Sequence, residues 1–300
     1  MKQNISQYIK AGDSNQITRE YFDSLLVEMR LIGSVIPSTK LELYGGTFST
    51  PIMTAALSHL DKCCPDGATE MAKGAFDANA VMWTGMGDEA ELDSILATGA
   101  KTIKIIKPYT DNNIILRKIE HAEKSGAFAV GMDIDHAFNR RGQYDNVLGY
   151  PMSVKSFDEI KSFINATKLP FVIKGVLSGQ DAYKCVEAGA RGIVVSHHHG
   201  IMDYAVPPLM ILPRIAKVID HSIPIFVDCG ISSGIDAFKA LALGADAVCA
   251  GRVLMDPLGS GKAAGVREKI EEMTEELAGM MARTCSHDIK HIDPTVIWKR

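Results

Sequence analysis

The run from Val194 to Tyr204, "VVSHHHGIMDY", sets three imidazoles between an apolar stretch and a glycine. A second stretch, "GMDIDH", sets Asp133 and Asp135 two residues apart, which puts both on one face of a strand. An imidazole beside a carboxylate can act as a general base, because the carboxylate orients the ring and stabilises its protonated form. Mixed nitrogen and oxygen donors could also hold zinc or iron, with Asp133, Asp135 and His136 completing such a site. Consecutive residues diverge, however, so at most two of the three imidazoles could easily share one ion. The reading with one functional histidine and two polar rim residues ranks higher, and no metal is expected.

Other charged residues stand where apolar runs end. "VIKGV" carries Lys174, "FVDCG" carries Asp228, "TIKIIKPY" carries Lys104 and Lys107, and "FNRRGQY" carries Arg140 and Arg141. A lysine at such depth is costly unless an anion or an electron-rich ring meets it. In "FVDCGISSG", Gly230 and Gly234 permit close backbone approach, and Ser232 and Ser233 offer donors near a helix start. In "CAGR", Gly251 exposes amides and Arg252 can hold a phosphate with two parallel bonds. The two loops together point to a phosphate.

The elements that must position these groups are legible as a repeat. Gly-Ala followed by a hydrophobic run recurs at Gly99, Gly126, Gly189 and Gly244. Glycine suits the residue after a helix, and the run that follows reads as a strand buried on both faces. Proline opens further strands at Pro51, Pro170 and Pro224, where its missing N–H breaks no ladder. With "NAVMWTG", eight strands begin near 51, 80, 102, 128, 170, 191, 224 and 246. Eight strand–helix units in this length predict an α/β fold, a single (β/α)8 TIM barrel. A doubly wound sheet is the alternative and would need fewer strands. An amphipathic helix is expected from Thr18 to about Leu31, and a long closing helix from Lys262 to about Arg283. The expected unit is 1–300, with an extension over 1–45, the barrel over 46–283 and a tail over 284–300. Chemistry in such barrels sits at the C-terminal ends of the strands, with phosphate after strands 7 and 8. The quoted residues fall there.

Of the 300 residues, 46% are hydrophobic and 23% charged, with a net charge of −4, as in ordinary globular proteins. No dense basic block marks a nucleic-acid partner. The six cysteines lack metal-type spacing and read as reduced thiols. The start shows no signal-type apolar run and nothing approaches spanning length, so no membrane partner and a cytoplasmic location are expected.

The segments "VIKGVLSGQDAYKCVEAGARGIVVSHHHG", "PIFVDCGISSGIDAFKALALGADAVCAGR" and "EELAGMMARTCSHDIKHI" together resemble the FMN-dependent α-hydroxy acid oxidase and dehydrogenase family. The likeness is dense from Lys168 to His291 and continues more thinly through "YIKAGD" and "TPIMTAAL". It implies FMN as cofactor, with Lys174 beside the flavin pyrimidine and Asp228 on the ribityl hydroxyls. Gly230, Gly251 and Arg252 would hold the phosphate, and Ala55 and Ser196 would also contact the cofactor. The family usually has an arginine where this chain has Ser232, which implies a weaker phosphate grip.

By the same resemblance His198 is the catalytic base and Asp135 its carboxylate partner. His197 takes an asparagine's place and His199 a glycine's. The arginine that clamps the substrate carboxylate falls on Ile201. Asp133 replaces a neutral residue that contacts the flavin, where its charge would oppose the reduced ring and lower the flavin potential. Tyr8, Lys107 and Arg141 are the candidates for holding a small-molecule substrate. The expected function is oxidation of a 2-hydroxy acid or related alcohol by hydride transfer to flavin, in a homo-oligomer, typically a tetramer. Loss of the arginine at Ile201 leaves room for an FMN-dependent isomerase or reductase. A barrel that binds flavin or metal without turnover is the further alternative.

Overall fold

The computed structural model describes residues 11–300, so Tyr8 lies outside the described residues. Eight parallel strands run in one sheet: β1 (Ile52–Thr54), β2 (Met82–Thr84), β3 (Thr102–Ile106), β4 (Ala129–Asp133), β5 (Phe171–Val176), β6 (Gly192–Val195), β7 (Ile225–Val227) and β8 (Ala247–Ala250). Their order is β1-β8-β7-β6-β5-β4-β3-β2. Short links then bring the two ends together. Thr54 donates its N–H to the Val81 carbonyl at 3.1 Å, and Gly85 donates to that of Leu57 at 2.9 Å. The sheet is thus a nearly closed barrel, as the repeat predicts, and the open-sheet alternative falls away.

The strand pattern explains the closure. Ile103, Ile105, Trp83, Met53, Val172 and Phe226 face inward and fill the barrel, while Ile106, Val130, Ile173 and Val227 face outward onto the helices. Both faces are buried, so the strands read as continuous apolar runs. Each such side chain contributes about 1.5–3 kcal/mol through burial. A hairpin of Leu41–Leu43 and Gly46–Phe48 plugs the N-terminal end of the barrel, where Phe48 meets Phe128 edge-on at 5.7 Å. The C-terminal ends of the strands lie at the opposite end.

Nine helices lie among the described residues: α1 (Ser14–Ser24), α2 (Gly67–Asp77), α3 (Glu89–Leu96), α4 (Asn112–Lys124), α5 (Phe157–Asn165), α6 (Gly179–Ala188), α7 (Pro208–Ile219), α8 (Gly234–Ala242) and α9 (Met255–Ala282). Two boundaries differ from expectation. The first helix starts earlier, because Asp13 caps it by accepting from the Asn15 N–H, and it stops at Ser24. Leu25–Val27 then pairs antiparallel with Ile297–Lys299, so the chain's two flanks clasp each other instead of extending the helix. The closing helix begins at Met255 but breaks at Lys262, whose backbone has φ 50° and ψ −137°. Its long regular part therefore begins where the sequence suggests. At the start of α8 a Cβ on Gly234 would lie 2.0 Å from the Met273 carbonyl oxygen, so glycine is needed for α8 to meet α9.

Candidate active site

At the C-terminal end of the barrel, His198 is held by two carboxylates. Its Nδ1 lies 2.8 Å from Asp135 Oδ1 and 3.1 Å from Asp133 Oδ1. The hydrogen bond is formed with Asp135, which leaves Nε2 available to a substrate. A local irregularity makes this contact possible. The β5–β6 register shifts between Lys174 and Val176, and Gly175 there has φ 93°. A Cβ on Gly175 would fall 2.4 Å from Asp135 Cγ, so a side chain at 175 would evict the carboxylate.

The register also sets Lys174 of β5 beside Asp133 of β4. Lys174 Nζ reaches Asp228 at 3.2 Å and donates to Ser196 Oγ at 3.4 Å. Lys107 Nζ donates to Asp133 Oδ2 at 2.5 Å. Three carboxylates, Asp133, Asp135 and Asp228, thus face three cations, Lys107, Lys174 and protonated His198. Burial opposes charge on Asp133, Asp135, Asp228, Lys174 and His198, yet the pairing wins for all of these but Asp135. Burial would lower the His198 pKa, but Asp133 and the hydrogen bonds raise it to about 9. Burial would raise Asp133, but His198, Lys107 and Lys174 hold it well below the usual carboxylate range. For Lys174 too, the three carboxylates overcome burial and raise its pKa. Asp135 is the exception: burial and its neighbour Asp133 push it up to about 6.

Each of the three histidines has a separate task. His197 accepts the Gly200 N–H on Nδ1 at 3.0 Å, so its proton sits on Nε2 and is donated to Thr18 Oγ1 at 2.7 Å. Burial lowers its pKa and keeps it neutral. It fastens α1 to the loop after β6. His199 donates from Nδ1 to Asn15 Oδ1 at 2.6 Å and accepts from the Arg252 guanidinium on Nε2 at 3.2 Å. Only the middle imidazole meets the carboxylates. Asp133, Asp135 and His198 converge closely enough to ligate an ion, but Lys107 already supplies a cation there.

Two cavities adjoin the dyad. The first, about 600 Å³, is lined among others by Ala55, Lys174, His198, Asp228, Gly230, Ser232, Gly251 and Arg252. That volume and its convergent polar groups suit a cofactor. The second, about 470 Å³, is lined by Asp135, Phe138, Arg140, Leu177, Ser196, Ile201 and Met202 among others. Of the positions expected to touch a cofactor, Ser196 lines the second cavity and Asp133 lines neither; the rest line the first.

The geometry bears on three of the expected positions. Asp133 does not stand alone, because Lys107 pairs with it and His198 adjoins it, which offsets its charge. Lys107 is 8% exposed with its ammonium on Asp133. Arg141 is exposed and lines neither cavity, whereas Arg140 lines the second. Lys104 faces away from the barrel interior and donates to the Gly85 carbonyl at 2.6 Å.

Several residues at the site carry no sequence signal. Asn15, Thr18 and Arg19 reach the site from α1, which looks like an ordinary flanking helix. Cys229 lines the first cavity with φ 63°, donates to Asp228 Oδ1 at 3.0 Å and accepts the His199 N–H at 3.3 Å. Burial pushes its thiol up to about 12, which excludes a thiolate nucleophile near neutrality.

The sequence matches the family model for FMN-dependent dehydrogenase over residues 1–156 and 152–299. The chain belongs to the FMN-dependent dehydrogenase family. It is therefore an FMN-dependent enzyme of the α-hydroxy acid oxidase and dehydrogenase type. Glycolate oxidase 3 of Arabidopsis thaliana is 27% identical, over 98% of this chain and 91% of that protein. Glycolate oxidase of Spinacia oleracea is 27% identical, over 96% and 89%. Among solved structures, a mandelate oxidase variant with a monooxide FMN adduct superposes with a TM-score of 0.88 at 27% identity, covering 96% of this chain and 92% of that one. Mandelate oxidase with (S)-2-phenylpropionate gives 0.87 at 26%, covering 96% and 90%. No helix among the described residues is long and apolar enough to cross a membrane.

Proposed function

We propose that this FMN-dependent dehydrogenase oxidises a 2-hydroxy acid, or a related alcohol, to the 2-oxo product. The reading rests on one observation: His198, fixed through Nδ1 by Asp135 at 2.8 Å, opens onto the cavity lined by Lys174, Asp228 and Arg252. In this reading Nε2 of His198 removes the hydroxyl proton, and Asp135 and Asp133 stabilise the imidazolium that results. FMN, when bound, supplies the hydride acceptor. Lys174 offers fixed positive charge to the pyrimidine end of the ring. Asp228 accepts from ribityl hydroxyls, and Arg252 with the amides at Gly230 and Gly251 holds the phosphate. Ala55, Ser196 and Ser232 complete the cofactor's surroundings.

Ile201 shapes the substrate. Where the resemblance leads to a guanidinium, the cavity wall is apolar through Ile201, Met202, Phe138 and Leu177. Arg140 is the cationic side chain lining this cavity and could hold a carboxylate, and the apolar wall favours an acid with a bulky apolar group. The same wall supports a second reading, in which the flavin serves an isomerase or reductase acting on another substrate. An anaerobic absorbance screen of the FMN-loaded protein against hydroxy acids separates the two. Bleaching of the visible flavin band by a hydroxy acid supports oxidation. A band that no hydroxy acid bleaches, but that returns when an activated alkene meets the reduced protein, would replace the first reading by the second.

We further propose that residues 1–300 act as one unit in a cytoplasmic homo-oligomer. The exposed apolar side chains of Met29, Leu31, Ile32, Val35 and Ile36, between α1 and the plugging hairpin, support association. Light scattering that returns a monomer's mass would reject it.

A further inference from the structure

The phosphate end has a gap in its expected chemistry, since Ser232 stands where an arginine is expected. We propose that Arg19, from α1, supplies the missing guanidinium and binds the FMN phosphate. This rests on the cofactor placement above.

Arg19 lines the same cavity as Gly230, Ser232, Gly251 and Arg252. Its NH1 and NH2 donate to the two oxygens of Asp236, at 3.0 and 2.9 Å, in a fork that fixes the guanidinium plane. The Phe22 ring backs it at 4.9 Å, and Nε donates to Asp23 at 3.1 Å. These contacts hold the group over the loop after β7. NH2 also lies 2.9 Å from Asp23 Oδ1, and the contacts left over are the long ones: NH1 to Ser232 Oγ at 3.3 Å and to the Gly230 carbonyl at 3.4 Å. Both are near the limit for a hydrogen bond, so a phosphate oxygen can replace them with a shorter, charge-assisted one.

The small side chain at 232 is what makes room. Ser232 Oγ donates to Asp236 Oδ2 at 2.7 Å, so the serine packs under the guanidinium without filling its place. The approach of α1 is equally tight, since a Cβ on Gly230 would lie 3.0 Å from both Phe22 and Thr18. The positive charge thus reaches the β7 loop from a different element of the chain. The weaker phosphate grip expected from Ser232 alone is thereby offset.

The test compares FMN with riboflavin, which lacks the phosphate, in fluorescence titrations of apoprotein. Arg19→Ala should weaken FMN binding roughly ten- to a hundred-fold, the worth of one charge-assisted bond, while changing riboflavin binding by less than about two-fold. Adding Ser232→Arg to Arg19→Ala should recover most of the lost FMN affinity. Unchanged FMN binding in Arg19→Ala overturns the inference and leaves the cofactor placement intact. Equal losses for both flavins also overturn it, because they mark a structural role for α1. Wild-type protein that binds neither flavin would instead overturn the cofactor placement itself.

Discussion

His198→Ala should slow reduction of the bound flavin by a hydroxy acid by about 10²- to 10⁴-fold, the usual worth of a positioned general base. Flavin affinity should change little. The geometry motivates the asymmetry. His198 Nδ1 is engaged by Asp135, and His198 lines a cavity whose proposed cofactor-binding groups, Lys174, Asp228, Gly251 and Arg252, belong to other strands. Stopped-flow reduction with matched FMN titrations would check both halves. Undiminished reduction would remove His198 from the chemistry, and lost flavin binding would make it a cofactor residue instead.

The second large effect is on pH. A base must be neutral to accept a proton, and His198 is raised to about 9 because Asp133 and Asp135 outweigh its burial. The value of kcat/KM for a hydroxy acid should therefore climb with pH well past 6.5, where an unperturbed histidine is already half neutral. Asp133→Asn removes the anion that raises His198 and leaves Lys107 unpaired beside the ring. Both changes favour the neutral imidazole, so the acid limb should move down by about one to three pH units. Because the carboxylates and imidazole titrate together, the limb belongs to the cluster and not to one group. A profile with the same limb in wild type and Asp133→Asn would show that Asp133 does not set the base's charge.

How much of this was legible in the sequence depended on the range of the interaction. Strand positions followed from local pattern. The four glycines of the Gly-Ala repeat all adopt positive φ, between 83° and 109°, and a strand follows each within three residues. Buried strands and glycine helix ends are properties of a few neighbouring residues, so they survive in one dimension. Asp133 and Asp135 shared a face for the same reason. Helix α1 was placed less well, because what ends it is a pairing with Ile297–Lys299 at the other end of the chain.

The sequence by itself determined the barrel, and its family resemblance led to the His198–Asp135 pairing that the structure contains. Only the tertiary structure decided the charge balance. Packing put the Lys107 ammonium on Asp133, and it gave His197 and His199, which the sequence leaves as rim residues, partners in Thr18 and Arg252. The reason is physical. Periodicity encodes which face a residue takes, but electrostatic partners are chosen by distance in space, and buried charge is tolerated only where such a partner arrives.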